Sequence, residues 1–335
     1  MKCRWIVLFA LAAIPFSGSS QVLAPVEVTT NTTIRVMAAN LTSGNNQRYE
    51  TPGLNIMKGL KPDVIAIQEF NYQSSTHGLN TANGFREMID NTFGTNFVYV
   101  RETGKSIPNG VISRYPILAS GVWDDPQVND REFIWARLDI PGTNDLYVVS
   151  VHLHSGGGAS SRSIEANHLK TNIQVNFPTN AYVILAGDFN TDTRNEAAMT
   201  TFKTFLSDDR KPADQAGNEN TNANRNKPYD YVLPNFLLSS NQVPTIIGNA
   251  SVANGLVFDS RVFTPLSAVP PVQTSDSAAF QMQHMAVIKD FKILYSITNY
   301  VTVTAPSLTL SNSTIRWFGP SNISYRVDAS TNLSQ

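Results

Sequence analysis

Cysteine is almost absent: the 335-residue chain has one, Cys3. It stands ahead of an apolar stretch in a segment expected to be removed. The mature protein would then hold no disulfide and must rest on its packed core. Long apolar runs are also missing. Trp5 to Phe16 is too short, and too closely followed by small residues, for a good membrane span. With Lys2 and Arg4 before it, the stretch reads as a secretory signal peptide over 1–24, with cleavage after Ser20 or Ala24. A secreted or periplasmic protein of bacterial type is expected. Cys3 is too early in the chain to carry a lipid, so no anchor is implied.

Charge is scarce and balanced, at 15% of residues and a formal net of −1, and loss of Lys2 and Arg4 would take it to −3. A duplex nucleic-acid binder usually carries a basic excess, and this chain does not. There is no long charge run and no coiled-coil heptad pattern. Histidine is limited to five residues, at 77, 152, 154, 168 and 284. A histidine-rich binuclear zinc centre would consume nearly all of them, so a zinc hydrolase built on His152 and His154 ranks low.

What is present is enough chain for one large core. "TIRVMAAN" alternates as a strand from Thr33 to Ala39, and "PGLNIMKGL" places Leu54, Met57 and Leu60 on one helical face. "DVIAIQEF" reads as a buried strand from Val64 to Gln68. Ala82, Phe85, Ile89 and Phe93 recur at helical spacing. "FVYVR", "GVISRYPIL", "EFIWARLDI" and "LYVVSVHLH" follow as strands between Gly, Pro and Asn/Asp breaks. Ala166, Leu169, Ile173 and Phe177 mark another helix, "AYVILAGDFN" another buried strand, and Ala198, Phe202 and Phe205 a third helix. An Asn-rich loop (214–228) leads to "YDYVL", and an irregular stretch (234–277) precedes a closing strand around His284. Helices alternating with β-rich runs argue for a large mixed-sheet α/β domain over 25–294. From 295 to 335 the helical spacing stops. That β-rich tail either packs on the domain or is an incomplete β-sandwich module.

Asn40, Glu69, His152, Asp188, Asn190 and His284 fall at or near strand ends, where chemistry collects in layered α/β folds. Taken singly, each has an ordinary explanation. Glu69 could end an edge strand, Asp188 and Asn190 could bond their own turn, Asp230 could be a turn aspartate, and His284 a satisfied core residue. Asp188 and Asn190 nevertheless share a face by period two, as a carboxylate for water beside an amide for a phosphoryl oxygen. His152 and His154 share a face in the same way.

In order and spacing, "RVMAAN", "DVIAIQEF", "NGVISRYPI", "VVSVHLHS", "VILAGDFNTD", "YDYVL" and "QHMAV" resemble the endonuclease/exonuclease/phosphatase superfamily, the deoxyribonuclease I-like metal-dependent phosphoesterases. The match covers roughly residues 33 to 292. The resemblance implies an α+β four-layer sandwich of two mixed β-sheets flanked by helices. It implies Mg2+ or Mn2+ held by Glu69 with Asn40, water activated by Asp188, and a phosphate oxygen held by Asn190. It also implies a catalytic His284 oriented by Asp230, and a role for His152, with His154 the alternative. The substrate would be a phosphate ester, with nucleic acid among the candidates. No obligate protein partner is implied, and a monomer is expected.

One departure stands out. The family usually has aspartate before the last histidine, where this chain has Gln283. Glutamine offers an oxygen but no charge, so Gln283 is either a neutral metal partner or the mark of a weakened enzyme that binds without turnover. Asp276, eight residues before His284, cannot be assumed to replace it. Ala39 replaces an aromatic residue common before the first Asn. Asn40-Leu-Thr is a glycosylation sequon, expected to be unmodified.

Overall fold

The structure, a computed structural model, describes residues 21–22, 26–299 and four short strands within 302–318. The expected signal peptide lies outside the described residues apart from Gln21–Val22, and so does most of 295–335. The chain divides into two compact units, 31–294 and a second formed by 1–30 with 295–335. In the second, Gln21–Val22 pairs antiparallel with Thr302–Val303, which pairs with Trp317–Phe318. Ser307–Thr309 pairs with Asn312–Thr314. Cleavage after Ser20 would keep the Gln21–Val22 strand, and cleavage after Ala24 would remove it.

Two sheets build the larger unit. One runs, in order, Gln242–Val243, Ala286–Asn299, Val26–Ala39, Val64–Ile67, Gly110–Ser113 and Val98–Arg101, with Leu256–Phe258 also paired to Ala286–Asn299. The other runs Asp230–Pro234, Tyr182–Asp188, Leu146–His152, Phe133–Leu138 and Ile117–Trp123. Each contains a parallel pair: Val26–Ala39 with Val64–Ile67, and Leu146–His152 with Tyr182–Asp188. Both sheets are therefore mixed.

Alternation of side chains explains the layers. Val36, Ala38, Val64 and Ala66 face inward and pack against Val148, Ile184, Ala186 and Val232 of the other sheet. Their sequence neighbours Met37, Ile65 and Ile67 face out, onto Ile56, Met57 and Leu60 of helix Thr51–Leu60 and Phe85, Met88 and Ile89 of helix Ala82–Thr92. On the opposite side, Tyr147, Val149, Val183 and Leu185 meet Ala166, Leu169 and Ile173 of helix Ala159–Asn176 and Met199 and Phe202 of helix Ala197–Phe202. Helix, sheet, sheet, helix is the four-layer α+β sandwich expected.

Two readings of local structure change. "GVISRYPIL" is not one strand: Gly110–Ser113 joins the first sheet and Ile117–Trp123 the second. Pro116, which has no N–H, sits in the break, where Tyr115 N donates to Ser113 Oγ. The irregular 234–277 stretch holds a short helix at Phe236–Ser239, a ladder of Thr245–Ile247 with Ala250–Val252, and the Leu256–Phe258 strand. These pieces are three or four residues long, too short to show a period.

Candidate active site

Strand register assembles half of the site directly. His152 lies opposite Asp188, and Asp188 lies opposite Asp230, in three neighbouring strands of the second sheet. The first sheet supplies the rest. Asn40 follows Val26–Ala39, Glu69 follows Val64–Ile67 by two residues, and His284 just precedes Ala286–Asn299. His284 is thus not inside the closing strand but at its mouth, bridged to Asn222.

Asp188 Oδ2 joins the halves. Asn40 Nδ2 donates to it at 3.1 Å, His152 Nε2 lies at 3.3 Å and His284 Nε2 at 3.4 Å. Asn40 Nδ2 also lies 3.2 Å from Glu69 Oε1 and 3.3 Å from His284 Nε2. The other ring nitrogen of His284 meets Asp230 Oδ2 at 3.0 Å. Asn190 N donates to Asp188 Oδ1 at 2.9 Å, and its side-chain amide donates to Leu153 O. Asn40, Glu69, His152, Asp188, Asn190, Asp230 and His284 therefore converge. All are buried except Glu69, which is partly open.

Gln283 stands apart. Its side chain is exposed, and its backbone carbonyl accepts from Ala223 N. Adjacent residues of an extended chain point to opposite sides, so burying His284 turns Gln283 outward. Asp276 is occupied elsewhere, accepting from Asn55 Nδ2 and Gln273 N. His154 is turned away as well: Glu165 accepts from its backbone N, and its Nδ1 faces Ser155 O. Asn40 is 1% exposed among its acceptors, which leaves no room for a glycan.

Glu69 and Asn190 have positive φ, +49° and +51°. Outside glycine such geometry costs on the order of 1 kcal/mol and collects at functional sites. Several supporting residues carried no signal of their own. Thr42 Oγ1 donates to Glu69 Oε2 at 2.8 Å. Arg131 donates to the carbonyls of His152 and Leu153, fixing that strand end. Buried Gln68 donates to Ser150 Oγ, and Ser150 to Ile67 O, tying one sheet to the other. In the sequence Gln68 is only the end of a strand, and nothing points to Ser150.

Electrostatics separate the two histidines. Burial, together with the charges of Arg131 and His284, holds the His152 pKa well below the ordinary imidazole value. His152 is therefore neutral near pH 7, with its Nε2 3.3 Å from Asp188 Oδ2. Burial also depresses His284, but Asp230 and Asp188 outweigh it and raise the group to about 10. Asp188 is pushed up to about 6 by burial, with the charge on His284 opposing and that on Asp230 adding. Asp230→Asn should accordingly lower the His284 pKa, because burial stays while its main countercharge goes. Titration of the imidazole resonances in the cation-free protein checks this. An unmoved His284 would remove Asp230 as its partner.

The donor set suits a hard divalent cation. Asn40 Oδ1 and Asp230 Oδ1 are buried without a hydrogen-bond partner, and Asn40 Nδ2 sits between two carboxylate oxygens and the protonated Nε2 of His284. A cation among these carboxylates would favour exchanging the Asn40 amide atoms so that its oxygen faced them. Asp188, Asp230 and His284 also offer ligand atoms within 4.8 Å of one another, a buried group able to take a divalent metal. Mg2+ prefers oxygen to imidazole, and His284 Nδ1 is engaged with Asp230, so the Glu69, Asn40 and Asp188 oxygens fit it better.

A family profile described as "Endonuclease/Exonuclease/phosphatase family" matches residues 54–251. The chain belongs to the endonuclease/exonuclease/phosphatase family. Solved structures share its fold. An endonuclease/exonuclease/phosphatase from Beutenbergia cavernae DSM 12333 has a TM-score of 0.54 at 15% identity, over 84% of this chain and 83% of that one. One from Bacteroides vulgatus gives 0.52 at 14% identity, over 77% and 98%. The human nocturnin catalytic domain with bound sulfate anion gives 0.51 at 14% identity, over 82% and 98%. No curated protein matches by sequence. With its buried Asp/Asp/His group, this member of the endonuclease/exonuclease/phosphatase family is a metal-dependent phosphoesterase.

Proposed function

We propose that the chain is an exported, Mg2+- or Mn2+-dependent phosphoesterase that hydrolyses small phosphodiesters or phosphomonoesters by attack of water on phosphorus. One observation carries the assignment of roles: Asp188 Oδ2 is contacted by Asn40, His152 and His284, residues from both sheets. Export rests on the N-terminal sequence. Among the described residues, no helix is long and apolar enough to cross a membrane. The absence of basic excess favours small esters over long nucleic acid.

Glu69 and Asn40, beside Asp188, would hold the cation, which neutralises phosphate charge and polarises the bond that breaks. Asp188, raised to about 6, is basic enough near neutrality to orient the attacking water and take its proton. Neutral His152 keeps the Asp188 carboxylate in place. Asn190 spends one amide hydrogen on Leu153 O and has the other for a non-bridging oxygen. His284, charged and fixed through Asp230, donates to the phosphate or the leaving oxygen. These donors stand preorganised where charge develops, which is the largest catalytic effect available to such a site.

Turnover of bis(p-nitrophenyl) phosphate, p-nitrophenyl phosphate and DNA, each with Mg2+, Mn2+ or EDTA, tests the proposal. Cation-dependent turnover abolished by EDTA is expected. Inactivity on every ester, or indifference to EDTA, contradicts it.

A second reading, binding without turnover, is motivated by Gln283. The exposed position of that side chain weighs against it. A charge added there is screened by water and is worth about 1 kcal/mol or less, so Gln283→Asp should change kcat/KM by less than about fivefold. A Gln283→Asp variant that turned over substrate where wild type only bound it would establish the second reading.

A further inference from the structure

The Asn-rich stretch 214–228, read from sequence as a polar loop, is tightly folded. Arg225, with φ +56°, donates to Asp214 at 2.7 Å and Asp259 at 2.6 Å, and to the carbonyls of Asn218 and Asn220. Asn222 Oδ1 accepts from the backbone N of Asn226 and Lys227. Asp259 directly follows Leu256–Phe258, which pairs with the strand that begins beyond His284. The loop is thereby fixed to the first sheet.

At its centre is Thr221, fully buried. Its hydroxyl oxygen accepts from Asp230 N at 2.8 Å, at the start of a second-sheet strand. Its carbonyl accepts from Met285 N at 2.7 Å, beside His284 in the first-sheet chain. Ala223 N donates to Gln283 O at 2.7 Å on the other side of His284. One residue therefore holds the backbone of Asp230 and that of Met285, the neighbour of His284, although Asp230 and His284 arrive on different sheets. Hydrophobic packing between sheets is non-directional. The hydrogen bonds of Thr221 add a directional constraint at the mouth itself.

We propose that Thr221, held by the Arg225-anchored loop 214–228, is a positioning residue that sets the contact between His284 and Asp230. Its kinetic consequence rests on the phosphoesterase reading; its structural consequence does not. Thr221→Val keeps the shape and deletes the acceptor for Asp230 N, whereas Thr221→Ser keeps the acceptor.

The experiment uses the full chain, labelled with 15N-histidine and free of cation, with His284→Gln to assign the signal among five histidines. Its first readout is the low-field His284 Nδ1–H resonance of the bond to Asp230. Its second is kcat and KM on the preferred ester. In Thr221→Val the resonance should broaden or vanish and kcat should fall by about tenfold or more with KM little changed, since small misplacements of reacting groups are costly. Thr221→Ser should retain both. Asn222→Ala, which frees the loop's own turn but leaves Thr221 intact, should move both readouts in the same direction by less. An unchanged resonance in Thr221→Val, or equal losses in the serine and valine variants, overturns the proposal. Wild type that shows the resonance but no turnover would instead reject the phosphoesterase reading, leaving the positioning role to the spectrum.

Discussion

His284→Gln should lower kcat by about three orders of magnitude while leaving KM within a few-fold, a loss confined to the transition state. The argument starts from the two carboxylates that flank the ring. Asp230 Oδ2 meets Nδ1 at 3.0 Å, so a proton stays on that nitrogen, and Nε2 is left facing the Asp188 side of the site. Against the cost of burial, these carboxylates raise the group to about 10. The side chain therefore enters the reaction as a positioned cationic donor. Glutamine can still donate a hydrogen bond from roughly the same place, but it carries no charge and cannot release a proton to a departing oxygen. Steady-state kinetics on the preferred ester measures the loss. A change below about tenfold would show that His284 is a structural bridge between the sheets and not a catalytic group.

Glu69→Gln is expected to act through the cation. The variant should need at least about tenfold more Mg2+ for half-maximal rate and should lose about two orders of magnitude in kcat at saturation. Glu69 is the partly open carboxylate of the site, held at Oε1 by Asn40 and at Oε2 by Thr42. Its backbone has a positive φ, and its side chain reaches Asn40. Glutamine keeps the shape and the Thr42 bond, so folding should be little affected. What disappears is the negative charge that draws a divalent ion from water. A Mg2+ titration of rate, beside thermal unfolding of both proteins, reads the two effects separately. An unaltered Mg2+ requirement would place the ion elsewhere, with the Asp188, Asp230 and His284 group as the alternative.

Much of this centre was legible in the sequence because strand-end residues are set by local pattern. "VILAGDFN" gives a buried strand whose last carboxylate must emerge at its carboxyl end, and Asp188 does so. His152 could be favoured over His154 by its place in the motif, and the register opposite Asp188 brings it to the site. Contacts between sheets were not legible. Nothing in the period of either segment says that Asn40 will reach Asp188 across 148 residues, or that Ser150 will meet Gln68. Thr221 was hidden for the same reason: its significance lies in two backbone partners, Asp230 and Met285, that sequence cannot bring together. Gln283 shows the opposite limit. Its position in the motif made it a metal candidate, while the alternation of the chain turns its side chain outward beside a buried His284.

The central claim is that oxygens from two sheets form one site for a divalent cation, with His284 beside it as a proton donor. The most direct test is the anomalous scattering of Mn2+ in crystals of the wild-type protein. The account predicts a single strong peak against the Glu69 carboxylate and the Asn40 amide, absent in crystals of Glu69→Gln. A peak bound instead by His152 and His154, or one that persists unchanged without the Glu69 carboxylate, would contradict it.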